Sequence, residues 1–119
     1  MVSSSQIGLF LTMKVFKQKK WKGGWFIGNF IPSAYKTRKF EVCYKIHKKN
    51  EKWPSHYHKL STEYNYLIRG KMTVCGKTLY SGDFFIIFPH EIASPVFHKK
   101  CELIVIKIPC TKNDKYIVI

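Results

Sequence analysis

The sequence predicts an all-β chain closed into a small barrel or sandwich. Three observations carry this. Apolar residues recur with a period of two, helical periodicity is nearly absent, and Gly70, Gly76 and Gly82 fall six residues apart. Alternation suits a strand with distinct faces, and glycine supplies the positive φ of the tight turns between short strands. At 119 residues the chain is long enough for one core and too short for two.

Taken in order, residues 1–12 lie outside the pattern, which begins at MKVFKQ. They are expected to be poorly ordered or to add to an edge, leaving 13–119 as a single domain. Their short apolar patch follows no basic residue and lacks the architecture of a secretory leader. No apolar run approaches the ~20 residues that span a bilayer, so a cytoplasmic protein without membrane contact is expected. GWFIGNF (24–30) is a first strand candidate. KFEVCYKIHKK (39–49) alternates well, with Phe40, Val42, Tyr44 and Ile46 on one face and Glu41, Lys45 and His47 on the other. EYNYLIR, KMTVC, KTLY and DFFIIF follow, punctuated by the three glycines, and ELIVIKI and KYIVI complete eight or nine short strands. Such a chain limits its exposed edges by closure.

The formal charge is +14. Of 21 basic residues only Arg38 and Arg69 are arginine. Base readout and bidentate phosphate contacts favour arginine, so sequence-specific nucleic-acid recognition is not expected. The lysines cluster at 17–22, 47–52 and 98–100, stretches that read as solvated loop tips. The charge points to a small anionic ligand. Cys43, Cys75, Cys101 and Cys110 are widely spaced with no CxxC, which leaves them as reduced thiols used as small apolar residues.

One stretch carries chemistry: HYHKLSTEYNYLIRG, residues 56–70. Residues i and i+2 of a strand share a face, so His56 and His58 project together and Tyr57 away. KLST reads as a turn, which lets Glu63 open the returning strand and face the same interior. Two imidazoles and a carboxylate form a facial triad suited to Fe(II) or Mn(II), and zinc accepts the same ligands. Parity places Tyr44, Asn65 and Leu67 on the cavity wall beside Glu63. His90 and His98 are expected to be exposed loop histidines, and Asp83 a turn residue at the head of a strand.

The pattern HxHx4Ex6G at 56–70 resembles the first motif of the cupin superfamily, and GDFFIIFP (82–89) resembles the start of its second. The likeness spans roughly residues 38–109. It implies a small single-domain cupin: a double-stranded β-helix, or jelly-roll barrel. It implies a divalent metal (Fe, Mn, Zn or Ni) held by His56, His58 and Glu63. The second motif departs from the family. Its histidine, eleven residues after Gly82, is replaced by Ala93. The resemblance implies a metal-dependent enzyme of dioxygenase or isomerase class acting on a small anionic molecule. Two alternatives stand beside it: a metal-free cupin isomerising or epimerising a sugar nucleotide, and a non-catalytic ligand-binding module. A homodimer is expected, because DFFIIF and ELIVIKI are apolar on both faces, as strands covered on both sides are.

Overall fold

A computed structural model describes residues 11–119. Most of the expectation for residues 1–12 therefore lies outside the described residues, and 11–17 carry no regular structure. Two single-turn 3-10 segments, Gln18–Lys20 and Lys22–Gly24, lead into ten strands. These are β1 Trp25–Ile27, β2 Glu41–His47, β3 His56–His58, β4 Thr62–Arg69, β5 Lys71–Val74, β6 Lys77–Tyr80, β7 Phe84–Ile87, β8 Val96–Phe97, β9 Cys101–Ile108 and β10 Lys115–Ile117. The expected strands all appear. β8 is the addition, and its two residues are too short to show alternation.

All strand pairs are antiparallel. A five-stranded sheet runs β1-β2-β9-β4-β7, a three-stranded sheet β6-β5-β8, and β10 pairs with β3. Leu67, Leu103, Val105 and Ile87 of the large sheet pack against Met72, Val74, Leu79 and Phe97 of the small one. This gives a jelly-roll barrel with its core between the two layers. The turns follow the glycines. Cys75 and Gly76 both have positive φ (50° and 73°), the pattern of a two-residue type I′ hairpin between β5 and β6. Gly70 is required for space as well. A Cβ there would lie 2.6 Å from the Lys100 carbonyl oxygen and 2.9 Å from the Cys101 Cα. Asp83 serves as a turn residue, its carboxylate accepting the Tyr80 N–H at 2.7 Å.

The register of the large sheet places its side chains in rows. On the inner face Glu41, Lys107, Glu63 and Ile87 lie side by side, then Cys43, Val105, Asn65 and Phe85, then Lys45, Leu103 and Leu67. β2 therefore turns its charged face inward. Val42, Tyr44 and Ile46 join Ile104, Ile106, Tyr64, Tyr66, Phe84 and Ile86 on the outer face. The placement of Tyr44 on the cavity wall is thus corrected. Its hydroxyl donates to Glu102 on the outer face at 2.6 Å. Hydrophobicity misleads here because both faces of the sheet are apolar, so the apolar face of β2 does not mark the interior. Leu67 faces inward and is fully buried, but in the core. Among the described residues no helix is long and apolar enough to cross a membrane.

The cysteines are all unpaired. Cys43, Cys101 and Cys110 are buried, whereas Cys75 sits exposed at the hairpin tip, outside the apolar role expected of it. Burial pushes the Cys43 thiol up to about 12, which makes it inert.

Candidate metal centre

Between the sheets lies a cavity of about 500 Å³, and His56, His58 and Glu63 all line it. β3 brings both imidazoles to one face, as alternation requires. The turn at 59–61 reverses the chain so that Glu63, second residue of β4, meets them. One ligand atom from each of the three residues falls within 4.8 Å of the others.

Each imidazole is oriented through its outer nitrogen. His56 Nδ1 lies 3.1 Å from the Pro54 carbonyl oxygen, and His58 Nδ1 lies 2.9 Å from that of Asp114. A carbonyl only accepts, so each Nδ1 is the donor and each Nε2 is left as the inward nitrogen. Metal-binding histidines are commonly fixed in this way. His58 Nε2 also lies 2.9 Å from Glu63 Oε2, and a metal ion held by both groups would replace that contact. The donor set therefore fits a divalent metal with mixed N/O ligands.

The ionisation states agree. Burial lowers the affinity of His56 for a proton, and the charge of Lys115 adds to this against the opposing hydrogen bond to Pro54, which favours a neutral imidazole. Burial raises Glu63, but the His58 hydrogen bond and the Lys107 charge outweigh it and hold the carboxyl below its ordinary value.

Ala93, eleven residues after Gly82, pairs with His56. Its N–H donates to the His56 carbonyl at 2.7 Å and its carbonyl accepts from the His56 N–H at 3.0 Å. The pair forms an isolated antiparallel bridge, and Ala93, buried, lines the cavity beside the triad. A methyl group cannot ligate. His90 and His98 are exposed, as expected, and neither lines the cavity.

Sequence reasoning missed several cavity residues. Glu41, Lys45 and His47 of β2 face in, with Lys107 of β9 and Lys115 of β10. Parity held the signal for Lys45 and Glu41, because they share the face opposite Tyr44. His47 stacks on Phe97 (centroids 4.2 Å apart) and its Nδ1 pairs with Glu51 at 2.5 Å. Trp53 Nε1 donates to the same carboxylate at 2.6 Å. Burial raises Glu51, but these donors and the Lys48 N–H overcome it and bring the carboxyl down to about 2. Burial and the charge of Lys45 lower the Lys115 ammonium.

No family model and no curated protein matches this chain. Solved structures do. A conserved protein with a double-stranded β-helix domain from Klebsiella pneumoniae shares 15% identity over 69% of this chain and 72% of its own, with a TM-score of 0.63. Pac13, a nucleoside dehydratase, shares 11% over 90% and 92%, with a TM-score of 0.65, and a variant of the Streptomyces protein has been solved with uridine. An RmlC-like cupin from Shewanella frigidimarina shares 20% over 66% and 72%, with a TM-score of 0.53. The likeness is one of fold: this chain is a small double-stranded β-helix of the cupin type.

Proposed function

We propose that this cupin-fold chain is a metal-dependent enzyme acting on a small anionic molecule inside the barrel. The observation that carries the reading is the convergence of His56, His58 and Glu63 within 4.8 Å on the wall of the barrel cavity. When bound, the metal would supply Lewis acidity and open coordination positions. The chain's own residues do the rest. The Pro54 and Asp114 carbonyls fix the orientation of the two imidazoles, and Met72, Val74, Ile87 and Val105 give the cavity an apolar lining. Four cavity lysines face two glutamates, which favours an anion. Pac13 being a nucleoside dehydratase supports a small molecule as the ligand of such a barrel.

One observation favours a second reading, in which no metal takes part. His58 and Glu63 are already hydrogen-bonded at 2.9 Å, an arrangement in which a carboxylate tunes a histidine for proton transfer. The same cavity then isomerises or simply binds its ligand. Metal content decides between them. Untagged wild-type protein is expected to bind more added Mn(II), Fe(II) or Zn(II) in equilibrium dialysis than His56→Ala, with both keeping the same fold by circular dichroism. Equal binding by both proteins removes the metal reading.

The apolar outer face of the large sheet, with Tyr66, Phe84 and Ile86 exposed, supports a homodimer in which two copies cover it.

A further inference from the structure

The triad accounts for one corner of the cavity. Its lysines form another feature. Glu41 is taken by Lys107 (2.8 Å) and Glu63 by His58 (2.9 Å). Among the described residues, Lys22, Lys45 and Lys115 have no carboxylate partner, and Lys22 is exposed with no indole ring against it. Lys45 and Lys115 nevertheless line a largely apolar cavity, Lys45 half-buried and Lys115 at the rim. Indole rings hold them there. Lys45 Nζ lies 5.4 Å from the Trp53 ring centre and 6.0 Å from that of Trp25, and Lys115 Nζ lies 5.0 Å from Trp53. Cation–π attraction offsets part of the desolvation of an ammonium without using up its N–H donors.

A second observation is independent of charge. The side-chain amide of Asn65 lines the cavity two residues along β4 from Glu63, yet Asn65 is only 4% exposed and its Nδ2 has no hydrogen-bond partner. Buried amides are rarely left so, and each exception calls for an explanation. A polar group on a ligand supplies one.

We infer that Lys45 and Lys115, walled by Trp25 and Trp53, form an anion pole that takes the carboxylate of a small flat organic acid, with Asn65 hydrogen-bonding a further polar group on it. This deepens the proposed function by naming the ligand class, and it rests on the barrel cavity being the ligand site. A carboxylate is favoured over a phosphate. Neither Arg38 nor Arg69 lines the cavity, and no helix N-terminus opens onto it among the described residues. The flat body follows from five aromatic walls: Trp25, Phe30, Trp53, Phe85 and Phe97.

The test titrates benzoate into untagged protein by calorimetry and tryptophan fluorescence, with EDTA present throughout so that metal plays no part. Benzyl alcohol has the ring without the charge, cyclohexanecarboxylate the charge without the flat ring, and inorganic phosphate the charge alone. Benzoate is expected to bind saturably. Lys45→Met and Lys115→Met, which keep aliphatic bulk, should each weaken it about tenfold. Lys59→Met, which removes a lysine that lies over Tyr116 and does not line the cavity, should leave it unchanged. Benzyl alcohol and phosphate should bind far more weakly than benzoate, and cyclohexanecarboxylate several-fold more weakly. No saturable benzoate binding at millimolar concentration, or binding that the Lys45/Lys115 double variant leaves intact, overturns the inference. Phosphate binding more tightly than benzoate overturns the carboxylate assignment. Since EDTA is present, none of these outcomes bears on metal retention, which is measured separately.

Discussion

Replacing Asp114 with alanine should weaken the fold and the candidate metal centre together. Asp114 is buried just ahead of β10. Its carboxylate accepts the N–H groups of Lys59 (3.0 Å), Leu60 (3.2 Å) and Ser61 (2.9 Å) and the Thr111 hydroxyl (3.3 Å). These bonds fix the turn that joins the strand carrying His56 and His58 to the strand carrying Glu63. Burial raises the Asp114 carboxyl, but the three backbone donors outweigh it and hold the group below its ordinary value. In Asp114→Ala, water can satisfy the N–H groups of the exposed Lys59 and Leu60 but not that of Ser61, which is 1% exposed. An orphaned buried donor plus lost charge-assisted bonds should cost about 3–4 kcal/mol, out of a typical total of about 5–15. At about 4 °C per kcal/mol for a chain of this size, the melting temperature should fall by about 12–16 °C. Asp114→Asn keeps one acceptor oxygen and should lose about half as much. Differential scanning calorimetry measures both, and metal retention should fall in the same order. A drop of under about 3 °C for Asp114→Ala would show that water replaces the carboxylate at Ser61 as well, and would refute this role for Asp114.

Three further outcomes are expected. Glu51 has a depressed folded-state value of about 2 against an ordinary 4.5, so its contribution is complete above pH 4.5 and is lost as pH falls through about 2; stability of the wild type should fall more steeply over that window than that of Glu51→Gln, as urea titrations at stepped pH would show. Ala93→His should raise retained metal above wild type, because it restores a ligand cross-strand from His56, and unchanged stoichiometry and affinity would show that position 93 does not face the ion. Light scattering at micromolar concentration should give a dimer for the wild type and a monomer for Ile104→Glu, which puts a charge between Tyr44 and Tyr66 on the outer face; a monomeric wild type refutes the pairing.

Much of the barrel is legible in the sequence because turn chemistry is local. Gly70, Gly76 and Gly82 mark strand ends through backbone conformations that other residues rarely adopt, and all three have positive φ. The triad is legible for the same reason: His56 and His58 share a face by parity alone, and Glu63 follows one turn later. The remainder depends on tertiary context. Which face of β2 points inward is undecided while both faces of the sheet are apolar, so Tyr44 is misplaced and Lys45 overlooked. Asp114 and the turn it holds are more than fifty residues apart in sequence, a contact that no local pattern encodes. His47 and Glu51 look like part of a solvated lysine cluster until Trp53 and Phe97 are seen to enclose them.

The register also relates the two poles of the cavity. Lys107 lies directly across from Glu63 on β9, and Lys115 directly across from His58 on β10. Both cations oppose a divalent ion at the triad, and Ala93 removes a ligand that would otherwise compensate. On the proposed function, such a triad should hold metal less tightly by itself. A bound carboxylate at Lys45 and Lys115 cancels part of the repulsion, so ion and organic acid favour each other. By linkage the effect is reciprocal: whatever factor the acid adds to metal affinity, the metal adds to the affinity for the acid. On the two proposals taken together, Ala93 and the unpaired cavity lysines act on the same ion. The expected outcome is that benzoate raises the amount of added metal bound in equilibrium dialysis; no change with benzoate refutes the coupling.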